Sequence, residues 1–127
     1  VNIVGLGVDL IENRRIADVM QRHPDRFMER VLTEAERTYV GRMRDPLPHI
    51  AGRFAAKEAV LKVLGTGWRG GIAWTDVEIV NDASGQPAVR LSGECERVAR
   101  RRAILRILVS ISHTPQYATA TAIGLST

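Results

Sequence analysis

One cysteine, Cys95, stands alone among 127 residues, which leaves no partner for an internal disulfide and removes the cage of several thiolates common in structural zinc sites. A reducing, cytoplasmic setting is expected. Aromatic residues make up only 5% of the chain, so platforms for stacking the bases of a single nucleic-acid strand are scarce. Long apolar runs are missing too. The stretch from Ile107 to Ile111 falls far short of the roughly 20 residues that cross a bilayer, so a soluble, membrane-free protein is expected. The amino end shows no basic region, apolar core and small-residue cleavage site, so no secretory signal is read there.

What is present suits one globular unit spanning 1–127, with 45% hydrophobic residues to build its core. Lys and Arg number 18 against 14 Asp and Glu, and the net charge of +4 attracts an acidic partner. Charge alone leaves DNA, RNA, anionic lipid and an acidic protein open.

The hydrophobic pattern mixes strands and helices without regular alternation, which predicts an α+β fold. Residues 2–11 have the composition of a buried strand, interrupted by Asp9. A helix over 12–22 follows, with Ile16, Val19 and Met20 as its apolar stripe. Arg14, Arg15 and Arg22 are left for water, and Arg26 and Arg30 extend the basic surface. Thr33 and Glu36 have the spacing of a capping box at the head of a helix over 34–43. Asp45 before Pro46 signals the longest helix, ending at Gly65. A hairpin is expected around the turn residues Asn81, Asp82, Ser84 and Gly85, then a helix over 93–103 capped by Ser92. Strands over 107–112 and 118–125 complete the chain.

Three features break their local patterns. Asp9 is a carboxylate inside an apolar strand and needs a cation, a metal or the strand's end. In the long helix, spacing of about 100° per residue places Arg53 above Lys57 and Glu58 above Lys62. Ala55, Ala56 and Ala59 keep the ridge between these charged rows low. His113 and Thr114 end an apolar strand just before Pro115. Taken singly, each has an ordinary structural explanation. Together they have a chemistry: Asp9 and Glu58 suffice for a hard cation such as Mg²⁺, which takes one or two carboxylates and fills the rest with phosphate and water. Arg53, Lys57 and Lys62 beside it suit a pyrophosphate, and Gly65-Thr66-Gly67 lets backbone amides approach phosphate oxygens. Transfer at phosphorus is the expected reaction class.

At this point the chain resembles the holo-acyl-carrier-protein synthase group of phosphopantetheinyl transferases. The resemblance rests on Gly5-Leu6-Gly7-Val8-Asp9-Leu10, Gly52-Arg53-Phe54-Ala55-Ala56-Lys57-Glu58-Ala59, Gly65-Thr66-Gly67, Asn81-Asp82 with Gly85 and Pro87, and Ser110-Ile111-Ser112-His113-Thr114, in that order. It implies a small antiparallel sheet packed against a long helix and shorter helices. It also implies transfer of 4′-phosphopantetheine from coenzyme A to a serine of apo acyl carrier protein, for fatty acid biosynthesis, with Mg²⁺ as cofactor and adenosine 3′,5′-bisphosphate as by-product. Carried over residue by residue, Asp9 and Glu58 are metal ligands and Lys62 neutralises the pyrophosphate. Arg53, Lys57, His113 and Thr114 handle the phosphates of coenzyme A, with Gly65, Gly85 and Pro87 close to the nucleotide. Arg14, Arg15, Arg22 and Arg26 dock the acidic carrier, and a homotrimer with active sites between subunits is implied. Trp68-Arg69-Gly70-Gly71 and Ser84 depart from the family pattern near the nucleotide. A basic nucleic-acid-binding module is the reading from another class, and it leaves Asp9 and Glu58 without a task. Broad-specificity transferases are the nearer alternative, but those are longer, two-lobed chains.

Overall fold

The structure is a computed structural model that describes residues 1–126. In chain order it runs β1 (Ile3–Glu12), α1 (Asn13–Arg22), α2 (Pro24–Val31), α3 (Glu34–Gly41), α4 (Pro46–Leu64), a 3-10 turn (Trp74–Asp76), β2 (Val77–Asn81), β3 (Pro87–Leu91), α5 (Gly93–Arg101), β4 (Arg106–His113) and β5 (Tyr117–Leu125). The strands form an antiparallel sheet ordered β1-β5-β4 and a separate hairpin, β2-β3. This is the α+β architecture expected from the pattern. Among the described residues no helix is long and apolar enough to cross a membrane.

Helix α4 is the axis of the molecule. It has buried side chains on nearly every side, among them Ile50, Ala55, Ala59, Val60 and Leu64, because it is enclosed by the sheet, the hairpin and the shorter helices. The alanines are what the sheet packs against. A Cβ on Gly7 would lie 2.0 Å from the Ala59 carbonyl oxygen, and one on Gly5 would lie 3.0 Å from that of Val63. Only glycines allow β1 to lie this close to the helix. The two glycines therefore set the separation between the strand that carries Asp9 and the helix that carries Glu58 and Lys62.

β1 is buried on one face only. Gly5, Gly7, Asp9 and Ile11 turn toward α4, whereas Val4, Leu6, Val8 and Leu10 are exposed on the other face of the sheet. The strand was expected to be buried outright; an apolar run cannot tell one covered face from two. α2 was not anticipated as a helix. Pro24 opens it, and Phe27 and Val31 bury its inner face. The Thr33–Glu36 capping box forms as expected, while Asp45 and Ser92 precede their helices without capping them through their side chains. Cys95 is buried, and desolvation, with Asp76 and Glu94 adding to it, pushes its thiol up to about 12, so it is inert at neutral pH.

Candidate active site

The sequence-predicted residues separate into two clusters on different sides of α4. The first lies toward its C-terminal half. Asp9 from β1 and Glu58 from α4 line one cavity of about 520 Å³, together with Arg15, Asp18 and Arg22 of α1 and the rings of Phe27 and Phe54. Lys62, one helical turn beyond Glu58, bonds its Nζ to the Val8 carbonyl oxygen at 2.7 Å and lies 3.5 Å from Asp9 Oδ1. Its side chain is 53% exposed, so the ammonium remains within reach of a ligand. Burial raises the pKa of Asp9, and Lys62 and Arg15 oppose the rise. Burial also raises that of Glu58, opposed by a hydrogen bond from Trp68 and reinforced by the charge of Asp9. The two carboxylates therefore feel each other in a partly desolvated place, with less positive charge than they need.

The loop that follows α4 and carries Trp68 lies beside further polar groups. Gly65 caps α4 in the left-handed region at φ 74, and a Cβ there would meet Arg102 Nη1 at 2.6 Å. Arg102, beyond α5, thus brings a guanidinium beside the nucleotide-side glycine expected from sequence. The Thr66 hydroxyl is buried with no hydrogen-bond partner among the described residues.

The second cluster lies toward the N-terminal half of α4. Arg53, His113, Gly85 and Pro87 meet around a smaller cavity of about 180 Å³, with Tyr39, His49 and Asn81. Arg53 lies with its guanidinium carbon 4.0 Å from the Tyr39 ring centre and donates from Nη2 to Asn81 Oδ1 at 2.9 Å. Its Nε is buried with no partner among the described residues. Asn81 in turn donates to the Gly85 carbonyl at 3.0 Å, which ties the hairpin turn to the helix. His49 packs edge-on to His113 at 5.2 Å between ring centres. Burial, then the charges of His113 and Arg53, hold the His49 pKa low, against Asp45, which raises it. Thr114 is close to His113 in sequence, but its hydroxyl oxygen accepts the backbone N–H groups of Gln116 and Tyr117 and so shapes the β4–β5 turn. Buried Asn13 pins that turn by donating to the Thr114 and Pro115 carbonyls at 2.9 and 3.2 Å.

Lys57 joins neither cluster. It is fully buried and its Nζ is consumed by Glu36 Oε1 at 2.7 Å, the Val77 carbonyl at 2.6 Å and the Trp74 carbonyl at 3.1 Å. An ammonium has three hydrogens, so nothing is left for a phosphate. Helical spacing groups it with Arg53 but cannot say which face is covered. Of the arginines expected from sequence to meet a carrier, Arg15 and Arg22 border the first cavity, and Arg14 and Arg26 are exposed on α1 and α2. Sequence reasoning missed His49, Asn13, Arg102 and the contact between Trp68 and Glu58. Only Trp68 carried a signal, as a bulky residue in a glycine-rich loop.

The first cluster suits a hard cation. Its donors are two carboxylates, and among the described residues no group of three or more His, Cys, Asp or Glu is placed to form a closed protein cage. Residues 5–122 match the family model described as the 4′-phosphopantetheinyl transferase superfamily. The chain is 47% identical to the holo-[acyl-carrier-protein] synthase of Protochlamydia amoebophila, over 97% of this chain and 98% of that one. It is 43% identical to that of Caldanaerobacter subterraneus subsp. tengcongensis, over 94% and 93%. Its fold superposes on the holo-[acyl-carrier-protein] synthase of Neisseria meningitidis with a TM-score of 0.90, at 29% identity over 98% of this chain and 99% of that one. A Bacillus anthracis holo-(acyl-carrier-protein) synthase in complex with CoA (3′,5′-ADP) matches with a TM-score of 0.80, at 37% identity over 98% of both chains.

Proposed function

The chain belongs to the 4′-phosphopantetheinyl transferase superfamily, and on that premise we propose that its two clusters are the halves of one composite site for coenzyme A. The reaction moves 4′-phosphopantetheine from coenzyme A to a serine of apo acyl carrier protein. It gives the holo carrier and adenosine 3′,5′-bisphosphate, and it serves fatty acid biosynthesis. The cytoplasm is the setting we assign to it.

The observation that carries the reading is the convergence of Asp9 and Glu58 on one cavity, with the Lys62 ammonium 3.5 Å from Asp9. Mg²⁺ fits these donors, with Asp9 and Glu58 as its protein ligands. When bound, the ion neutralises charge on the pyrophosphate and polarises its oxygens. Lys62 adds a second positive charge there. The serine oxygen bonds to the β-phosphorus of coenzyme A, the bond to the bridging oxygen breaks, and the serine proton passes to a basic group at the cavity.

The second cluster takes the nucleotide end. Arg53 offers an unpartnered buried donor, His113 a ring nitrogen, and Gly85 and Pro87 a low wall. Within one chain the clusters face different neighbours: Arg53 lies against α3 and β2, and Glu58 opens toward β1 and α1. We therefore place each complete site between subunits of a homotrimer, one giving the carboxylates and the next giving Arg53 and His113. The exposed apolar face of β1, extended by Leu108 of β4, supplies a surface for that assembly. The acidic carrier docks on Arg15 and Arg22, which border the first cavity, and on exposed Arg14 and Arg26 of α1 and α2.

The test is to incubate the protein with coenzyme A, Mg²⁺ and an apo carrier protein and follow the carrier by mass spectrometry. A carrier heavier by one phosphopantetheine arm, formed only with the divalent ion, is expected. An unmodified carrier would refute the reading.

A further inference from the structure

The loop after α4 returns a tryptophan onto the site. Gly65 and Gly67, both at positive φ, turn the chain back along the helix. The returning Trp68 donates its indole Nε1–H to Glu58 Oε1 at 3.3 Å. The indole is itself held. Its ring centre lies 3.7 Å from that of Trp74, Trp74 lies 4.8 Å from Phe54, and Phe54 lies 6.3 Å from Phe27. Phe54 and Phe27 line the same cavity as Asp9 and Glu58, so a continuous aromatic ladder joins the cavity wall to the donor.

Among the described residues Trp68 is the sole hydrogen-bond partner of the Glu58 carboxylate. An indole N–H donates one hydrogen and accepts none, so it orients the carboxylate without exchanging a proton with it. We infer that Trp68 is a positioning residue that anchors Glu58 through Oε1 and leaves Oε2 as the oxygen presented to a divalent cation. The inference rests on the reading of Asp9 and Glu58 as metal ligands. It has a consequence for ion choice: a carboxylate offering one oxygen suits the compact octahedral shell of Mg²⁺, whereas one offering both suits the larger shell of Ca²⁺. Outer partners of this kind commonly change metal affinity by about 10–100-fold when removed.

The test is Mn²⁺ binding to the whole protein in the presence of coenzyme A, read by the electron paramagnetic resonance of the free ion, for wild type, Trp68→Phe and Trp68→Leu. Phenylalanine keeps a ring against Trp74 and deletes only the N–H; leucine deletes both. Both variants are expected to bind Mn²⁺ about tenfold more weakly, with the melting temperature lowered only in Trp68→Leu. Wild-type affinity in Trp68→Phe would mean that the ring acts by packing alone, and would overturn the inference. Failure of the wild type itself to bind Mn²⁺ would remove the metal reading and this inference with it, so the two failures are told apart.

Discussion

Lys57 and Lys62 sit five residues apart on one helix and have opposite fates. Lys57 is sealed in the interior, with a carboxylate and two carbonyls consuming its hydrogens. Lys62 is half out of the protein, with one carbonyl and a more distant Asp9. The acids differ in the same sense. Glu36 accepts from Lys57, from the Ile79 amide and from the Thr33 amide, whereas among the described residues Glu58 has only Trp68. Where charges are saturated by their own chain they hold elements together. Where they are left short of partners, as around Glu58, they suit the proposed cation.

The comparison breaks most severely at the saturated pair. Glu36→Gln or Lys57→Met leaves the other charge buried and is expected to cost about 3–5 kcal/mol in urea unfolding. The double variant should lose less than the sum of the singles, and additive losses would show that the two groups do not stabilise each other. Next in size is Gly7→Ala. Its Cβ falls 2.0 Å from the Ala59 oxygen, so strand and helix must part, at about 3 kcal/mol by the usual cost of overpacking. Carrier modification should fall with it, because Asp9 is moved away from Glu58. Unchanged stability and activity in this variant would show that the glycine does not set the separation.

At the unsaturated pair the sign reverses. Both carboxyls hold their protons to higher pH in the folded chain than in the unfolded one. The relative stabilisation is fully present below the ordinary carboxylate range and is lost as pH rises through the elevated values. Asp9→Asn and Glu58→Gln should therefore abolish transfer and yet melt above the wild type at neutral pH, with the gap closing as the pH falls toward 4. A variant that melts below the wild type at pH 7 would contradict the claim of frustrated charge.

The subunit arrangement offers a subtler break. Inactive Asp9→Ala and Arg53→Ala chains, mixed and reassembled, should recover roughly a quarter of the sites if each site takes one residue from each of two neighbours. No recovery would place both residues in one subunit's site. The smallest effect is expected at the docking face. Charge reversal at exposed Arg14 should raise the KM for the carrier severalfold and leave kcat near its wild-type value, and an unchanged KM would remove that residue from the docking surface.

Much of this was legible in the residues, for reasons that differ from element to element. The head of α3 was readable because a capping box is a local contract between Thr33 and Glu36. α4 was readable because Pro46 and Gly65 punctuate it at both ends. α2 was not, since its eight residues supply only two turns of pattern and Arg26 and Arg30 drew attention to charge rather than to Phe27 and Val31. Asp9 stood out because it breaks an apolar strand, whereas Glu58 gained meaning only beside Arg53, Lys57 and Lys62 on the same helix. What separates Lys57 from Lys62 did not, because Glu36 lies 21 residues from Lys57 in sequence and only the folded chain brings it there. His49 and Asn13 were silent for the same reason. Their roles come from neighbours on α3, β4 and the β4–β5 turn, which periodicity along one segment does not report.

The most direct measurement on the central claim is a double-mutant cycle in Mn²⁺ affinity over Asp9→Asn and Glu58→Gln, with coenzyme A present and folding checked by circular dichroism. If the two carboxylates grip one ion, each single variant loses nearly all binding and the double variant loses little more. If either variant alone keeps the wild-type affinity, the carboxylates do not share an ion, and the account of the site fails.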